Sequence, residues 1–172
     1  WGTKHLETLV LLKHQGFIDE IYACDINRGR LEEIYPTIDE VFLNWRDMCH
    51  SAQLDLVSIV TPNSSHLSLG VAMLEQGLNV LIEKPLGASF DEVKRLCEAA
   101  KMSTGTLHSG YLLRHHPGVK LAKKLIEDYS IGRVKSVRFT KYSSRKKPSN
   151  ANAIENLVSH AFSIIPSLIT PS

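Results

Sequence analysis

Cysteine is scarce and scattered in this chain. Cys24, Cys49 and Cys97 are the only three among 172 residues, and no two of them form a Cys-x-x-Cys pair. That excludes a zinc cage and a disulfide framework, so no metal is expected and the free thiols fit a reducing cytoplasm. Long apolar runs are also missing. None reaches the roughly 18 residues of a membrane span, and the opening Trp1-Gly2-Thr3-Lys4-His5 lacks the basic-then-apolar layout of a secretory signal. No excess of one charge exists, because 20 Lys and Arg face 18 Asp and Glu for a net charge of +2. Nucleic acid is therefore excluded as the main partner. The densest basic run, Arg145-Lys146-Lys147, reads as a solvated surface. Internal repeats and low-complexity tracts are absent. An initial Met is absent too, and the chain is expected to be a fragment of a longer protein.

What is there is an alternation of helical and extended patterns, the sequence sign of a parallel α/β sheet. Leu6, Leu9, Val10 and Leu12 fall at helical spacing within residues 3–15, and Gly16 stops that helix. Residues 17–25 read as a strand ending in Asp25. Asn27 caps a short helix over Arg28–Tyr35 that Pro36 closes. A short strand at 38–43 and a helical turn at 45–52 follow. Leu56–Val60 and Val80–Ile82 have the β-branched composition of strands buried on both faces. Between them His66–Gln76 is helical and ends at Gly77. Ser89 and Glu92 form a capping box for a helix reaching about Ser103, and Thr106–Gly110 is the next strand. Beyond Pro117 the pattern changes. A helix over Gly118–Tyr129 leads to Arg133–Tyr142, whose alternation predicts a half-exposed strand of an antiparallel sheet. A polar loop, 143–152, precedes a helix around Ile154–Ile165. The fold class expected is thus a Rossmann-type doubly wound parallel sheet whose first strand is missing from this chain. It spans residues 1–117, and residues 118–172 begin an α+β second domain.

A doubly wound sheet that binds a dinucleotide places the diphosphate on backbone N–H groups at the start of its first helix. Gly2 sits where the last glycine of a Gly-x-Gly-x-x-Gly turn falls. Asp25 ends the second strand of such a unit, where a carboxylate accepts hydrogen bonds from the adenosine ribose hydroxyls. By itself Asp25 is equally a helix cap or a surface acid. A carboxylate there repels the 2′-phosphate of NADP, which favours NAD. Nearby Arg28 can counter that repulsion by stacking on adenine or pairing with a phosphate.

Two segments carry a family resemblance. One is Asp55-Leu56-Val57-Ser58-Ile59-Val60-Thr61-Pro62-Asn63 with His66 following; the other is Gly77-Leu78-Asn79-Val80-Leu81-Ile82-Glu83-Lys84-Pro85-Leu86. Together with Trp1-Gly2, His5, Asp25, Gly110, Arg114, Pro117 and Ile131-Gly132, the chain resembles the glucose–fructose oxidoreductase/inositol dehydrogenase/rhizopine-catabolism family. The resemblance implies a nucleotide domain followed by a substrate domain that pairs subunits through an open sheet. It implies a nicotinamide cofactor and oxidation or reduction of a sugar, cyclitol or nucleotide-sugar carbon. Trp1, Gly2, Asp25, Arg28, Thr61, Pro62, Asn63, His66, Glu83, Lys84 and Arg114 are then expected around the cofactor, with Glu83 toward the nicotinamide ribose.

Lys84 is expected between cofactor and substrate. Removing hydride from a carbinol carbon requires withdrawal of the hydroxyl proton, and a lysine hydrogen-bonded to that oxygen stabilises or relays the charge. Family members carry Asp, three residues, then His on a helix of the second domain. Here Asn156 takes the Asp position and His160 the His, while Ser163 replaces a second acid. An imidazole suits acid–base work near neutrality; Asn156 orients groups but takes no proton. The departure leaves two readings open, an active dehydrogenase or a member that binds NAD(P) and a sugar as a sensor.

Overall fold

The structure, a computed structural model, describes residues 2–34, 37–140 and 158–169. Helix α1 (Gly2–His14) leads through an exposed turn to strand β1 (Tyr22–Cys24). Helix α2 (Arg28–Ile34), β2 (Glu40–Phe42), α3 (Trp45–Ser51) and β3 (Leu56–Ile59) follow. Then come α4 (His66–Glu75), β4 (Asn79–Ile82), α5 (Phe90–Met102) and β5 (Leu107–Ser109). Two more helices, α6 (Pro117–Glu127) and α7 (Ser159–Ile169), complete the described chain, with α7 packed on α6 and on the 3-10 turn Leu112–His115.

All strand pairs are parallel, in the orders β1–β2 and β3–β4–β5. This is the sequence of a doubly wound sheet, 3-2-1-4-5-6, with its central position, between β1 and β3, not filled by any described residue. Helix α1 spans the gap. Its Lys13 donates to Asp39 beside β2, at 2.6 Å to Oδ1, while its His5 reaches Ser58 of β3 at 2.8 Å.

The core lies on one face of β3–β4–β5, where Ile59, Met73, Leu74, Val80, Ile82 and Leu96 pack together. Each such side chain stabilises by about 1.5–3 kcal/mol when fully buried. Because strand side chains alternate faces, Val80 and Ile82 turn inward to α4 and α5. Ser58 and Glu83 therefore fall on the opposite face, which α1 covers. Gly77, at φ 76°, takes the left-handed conformation that ends α4 and sends the chain into β4. Asn27 and Ser89 cap α2 and α5 as expected, their side chains accepting from Gly29 N–H and Glu92 N–H. Glu92 closes its half of the box on Ala88 N–H, one residue earlier than the usual reciprocal bond.

Three expectations are corrected. The strand expected over 17–25 shrinks to Tyr22–Cys24, since Phe17 is 77% exposed, its N–H bonds back to Leu12 O of α1, and residues 17–20 join no ladder among the described residues. Among the described residues β3 pairs with β4 alone, and along it exposure falls from 50% at Leu56 to 4% at Ile59. Residues 133–140 join no ladder among the described residues, because none of these supplies a strand beside them. Helix α7 also continues past Ile165, through Pro166, to Ile169. Trp1, Tyr35, Pro36, residues 141–157 with Asn156 and the basic run 145–147 lie outside the described residues.

Candidate active site

The carboxyl ends of β3, β4 and β5 bring Thr61–Asn63, Glu83–Pro85 and Gly110 to one edge of the sheet. Glu83 N–H donates to Ile59 O at 2.9 Å and Gly110 N–H to Ile82 O at 2.8 Å, so the ladder continues one residue past each strand. Ser65 Oγ donates to Thr61 Oγ1 and Pro62 O, both at 2.7 Å, and Asn63–Ser65 forms a 3-10 turn. Thr61, Pro62 and Asn63 are exposed, and Lys84 is half-buried before a cis Lys84–Pro85 bond.

Glu83 is 6% exposed. His5 Nε2–H donates to its Oε1 at 3.0 Å, and Lys84 N–H donates to its Oε2 at 3.0 Å. With Nε2 donating, Nδ1 of a neutral ring accepts from the Ser58 hydroxyl. Gly110 closes the remaining side: a Cβ there would stand 3.0 Å from Glu83 Cδ and Oε1. Each carboxylate oxygen keeps a further acceptor site.

His66 was expected at the cofactor's edge; it is instead only 1% exposed. Its Nδ1 lies 2.9 Å from Pro85 O and its Nε2 2.9 Å from Thr61 O. The ring thus joins the two motif loops from beneath and presents no open face.

Asp25 stands apart, at the end of β1 in the other sheet. Its Oδ1 accepts from Asn27 N–H at 2.8 Å, and Arg30 Nη1 lies 3.5 Å from Oδ2. Arg28, the arginine singled out from sequence, points along α2 to Glu32 at 3.7 Å, so Arg30 is the cation beside the acid. Burial, then the neighbouring Asp25, pushes the Cys24 thiol up, and burial pushes Cys49 up, so neither sulfur is an activated nucleophile. Gly2 opens α1 with its Cα hydrogens toward Val60, where a Cβ would sit at an ordinary 3.6 Å.

Arg114 is exposed on the 3-10 turn after β5, and α7, which carries His160, packs on that turn. Ser163 Oγ donates to His160 O at 2.7 Å, within the helix. Among the described residues no group of three His, Cys, Asp or Glu is placed to hold a metal, and no helix is long and apolar enough to cross a membrane.

The roles of His5, Ser58 and Arg30 escaped sequence reasoning. His5 lies 78 positions from Glu83, and no local pattern links residues that distant. Face alternation along β3 and β4 was the available signal, since it puts Ser58 and Glu83 on one side.

Comparison with known proteins supplies the wider context. The profile described as "Oxidoreductase family, NAD-binding Rossmann fold" (GFO_IDH_MocA) matches residues 1–111. A levoglucosan dehydrogenase of Pseudarthrobacter phenanthrenivorans is 35% identical over 97 residues, 56% of this chain and 25% of that protein. A myo-inositol 2-dehydrogenase of Thermotoga maritima is 26% identical over 144 residues, 81% of this chain and 41% of its own length. The solved structure of a levoglucosan dehydrogenase in complex with NADH and levoglucosan superposes with a TM-score of 0.62. It is 28% identical and covers 66% of this chain and 31% of the solved one. The chain therefore spans less than half the length of these relatives.

Proposed function

Since this chain belongs to the Gfo/Idh/MocA oxidoreductase family, with its NAD-binding Rossmann fold, we propose that the protein carrying it is a sugar-directed dehydrogenase. It transfers a hydride between nicotinamide and a carbinol or carbonyl carbon of a sugar, cyclitol or nucleotide sugar. The observation that carries this reading is the address of Lys84. It follows β4 directly, at the sheet edge where open α/β folds bind ligands, and its backbone N–H is tied to the buried Glu83.

The residues present fit a dinucleotide. Helix α1 has 13 residues and no acid in its first turn, so nothing there opposes an anion at Gly2. Asp25, held by Asn27 N–H, offers the ribose a carboxylate, which favours NAD over NADP. Thr61, Pro62 and Asn63 border the cofactor in our reading, with Glu83 at the nicotinamide ribose, Arg114 at the nicotinamide end, Trp1 before the first helix and Arg28 near the adenosine. When bound, the cofactor supplies the hydride acceptor or donor.

In this scheme the Lys84 ammonium donates a hydrogen bond to the substrate oxygen, stabilising negative charge as the hydroxyl proton leaves. His160 is the acid–base partner, and Asn156 orients the imidazole or a substrate hydroxyl. Residues 118–172 begin the substrate domain, through which the protein forms a homo-oligomer in the cytoplasm. The test is the Lys84→Ala variant of the intact protein, with turnover followed by nicotinamide absorbance. Turnover is expected to fall at least about 100-fold while cofactor affinity stays within a few-fold. Unchanged turnover on the true substrate removes Lys84 from the mechanism.

One observation favours a second reading. The Ser163 hydroxyl turns back onto His160 O within its own helix, so this position offers neither an acid nor a projecting hydroxyl. A sensor that binds NAD(P) and a sugar without turnover fits that loss. Tight cofactor binding with no redox change across a broad panel of sugars, cyclitols and nucleotide sugars would select it.

A further inference from the structure

The Glu83-Lys84-Pro85 turn is gripped on both sides by histidines from other helices. His5, in the second turn of α1, holds the Glu83 carboxylate at 3.0 Å. His66, the first residue of α4, lies 2.9 Å from Pro85 O. Lys84 is the residue between, and its own N–H closes on Glu83 Oε2 at 3.0 Å. We propose that His5 and His66 are positioning residues that fix the Lys84 backbone by holding its two neighbours. This rests on the reading of Lys84 as the residue that meets substrate.

The two histidines do different work, and their acceptors show how. His5 faces a carboxylate and a hydroxyl, one a pure acceptor and the other able to donate. One N–H and one lone pair satisfy both. A glutamine amide has the same pair of functions, so it is a workable substitute. His66 faces two carbonyls, Pro85 O and Thr61 O, and carbonyls only accept. Each engages the ring only through an N–H. A ring bearing one hydrogen donates to one carbonyl and turns a lone pair on the other. A leucine at 66 has no N–H at all, and leaves both carbonyls without the ring at a position that is 1% exposed.

Gly110 completes the brace. Its missing side chain lets β5 close on the Glu83 carboxyl, which then has no room to swing away from His5. The α1 helix that would receive the diphosphate is thereby joined through one imidazole to the residue preceding Lys84. Cofactor seating and lysine placement share a single rigid contact.

The experiment compares His5→Leu, His5→Gln and His66→Leu with the parent, all in the intact protein that carries this chain. It reads kcat, cofactor Kd, melting temperature, and hydrogen exchange at the Lys84 amide. His5→Leu is expected to lower kcat about tenfold or more with cofactor Kd within about threefold, and to lose Lys84 amide protection. His5→Gln should recover most of both, and His66→Leu should lower both. Full kcat and full amide protection in His5→Leu overturn the proposal. So does a His5→Gln variant as impaired as His5→Leu at an unchanged melting temperature, since a matched donor and acceptor would then be irrelevant. If the parent protein turns over no substrate, the dehydrogenase reading falls, and the amide exchange still decides whether the histidines hold Lys84.

Discussion

Glu83 and His5 meet at 3.0 Å across 78 residues of sequence, and the contact ties the first helix to the end of the fourth strand. Three partners confine the carboxyl group: the imidazole, the Lys84 N–H and the bare Cα of Gly110. A buried carboxylate with both oxygens occupied is a fixed post, and residues beside it inherit its position.

Gly110→Ala tests the third wall. The added methyl would lie 3.0 Å from Glu83 Cδ and 3.2 Å from Glu83 Cα, and the latter is backbone that cannot rotate aside. The expected loss is about 1–3 kcal/mol of folding free energy. Urea unfolding measures it, and an unchanged midpoint would mean that β5 relaxes without strain.

Asp25 is expected to set cofactor preference in the proposed enzyme, and Arg30 stands 3.5 Å from it. Asp25→Ser removes the negative charge and leaves the guanidinium available to a 2′-phosphate. The ratio of NADP to NAD affinity should rise at least about tenfold, as expected when like-charge repulsion is removed. Titration of both cofactors measures it. A ratio that does not move assigns discrimination to other residues.

Acid should loosen the link between α1 and β2. The hydrogen bond from Lys13 holds the Asp39 carboxyl below the usual carboxylate range, with Ile21 N–H adding to the effect. A depressed folded value stabilises the fold fully above the unfolded carboxylate value of about 3.9, and this contribution is lost as pH falls through the folded value. Both partners are about a third exposed, so solvent screening keeps the contribution under about 1 kcal/mol. Urea midpoints at neutral pH and near pH 3 should converge between the parent and Asp39→Asn, with the parent losing more on acidification. Parallel losses would exclude Asp39 as the acid-sensitive group.

Local chemistry was legible in the sequence where it is local. Asn27, Ser89 and Gly77 act within a few residues, and each ends or begins a helix where its type predicts. The strand-end address of Glu83-Lys84-Pro85 was equally readable, because short β-branched runs and glycine stops bracket β4. What escaped depends on neighbours remote in sequence. The strand expected at 133–142 needs a partner that the described residues do not supply. Choosing Arg30 over Arg28 required the path of the chain out of β1, since Arg28 finds Glu32 one turn along its own helix. His66 was read as a cofactor neighbour because its motif lies at the right edge, but only coordinates show that two carbonyls claim its ring.

Helix α1 works as a lever with two loads. Near its end Lys13 meets Asp39 beside β2, and near its start His5 meets Ser58 of β3 and Glu83 after β4. A shift of the helix along its axis moves both contacts together, so the acid-sensitive pair and the brace on Glu83 answer to one rigid element.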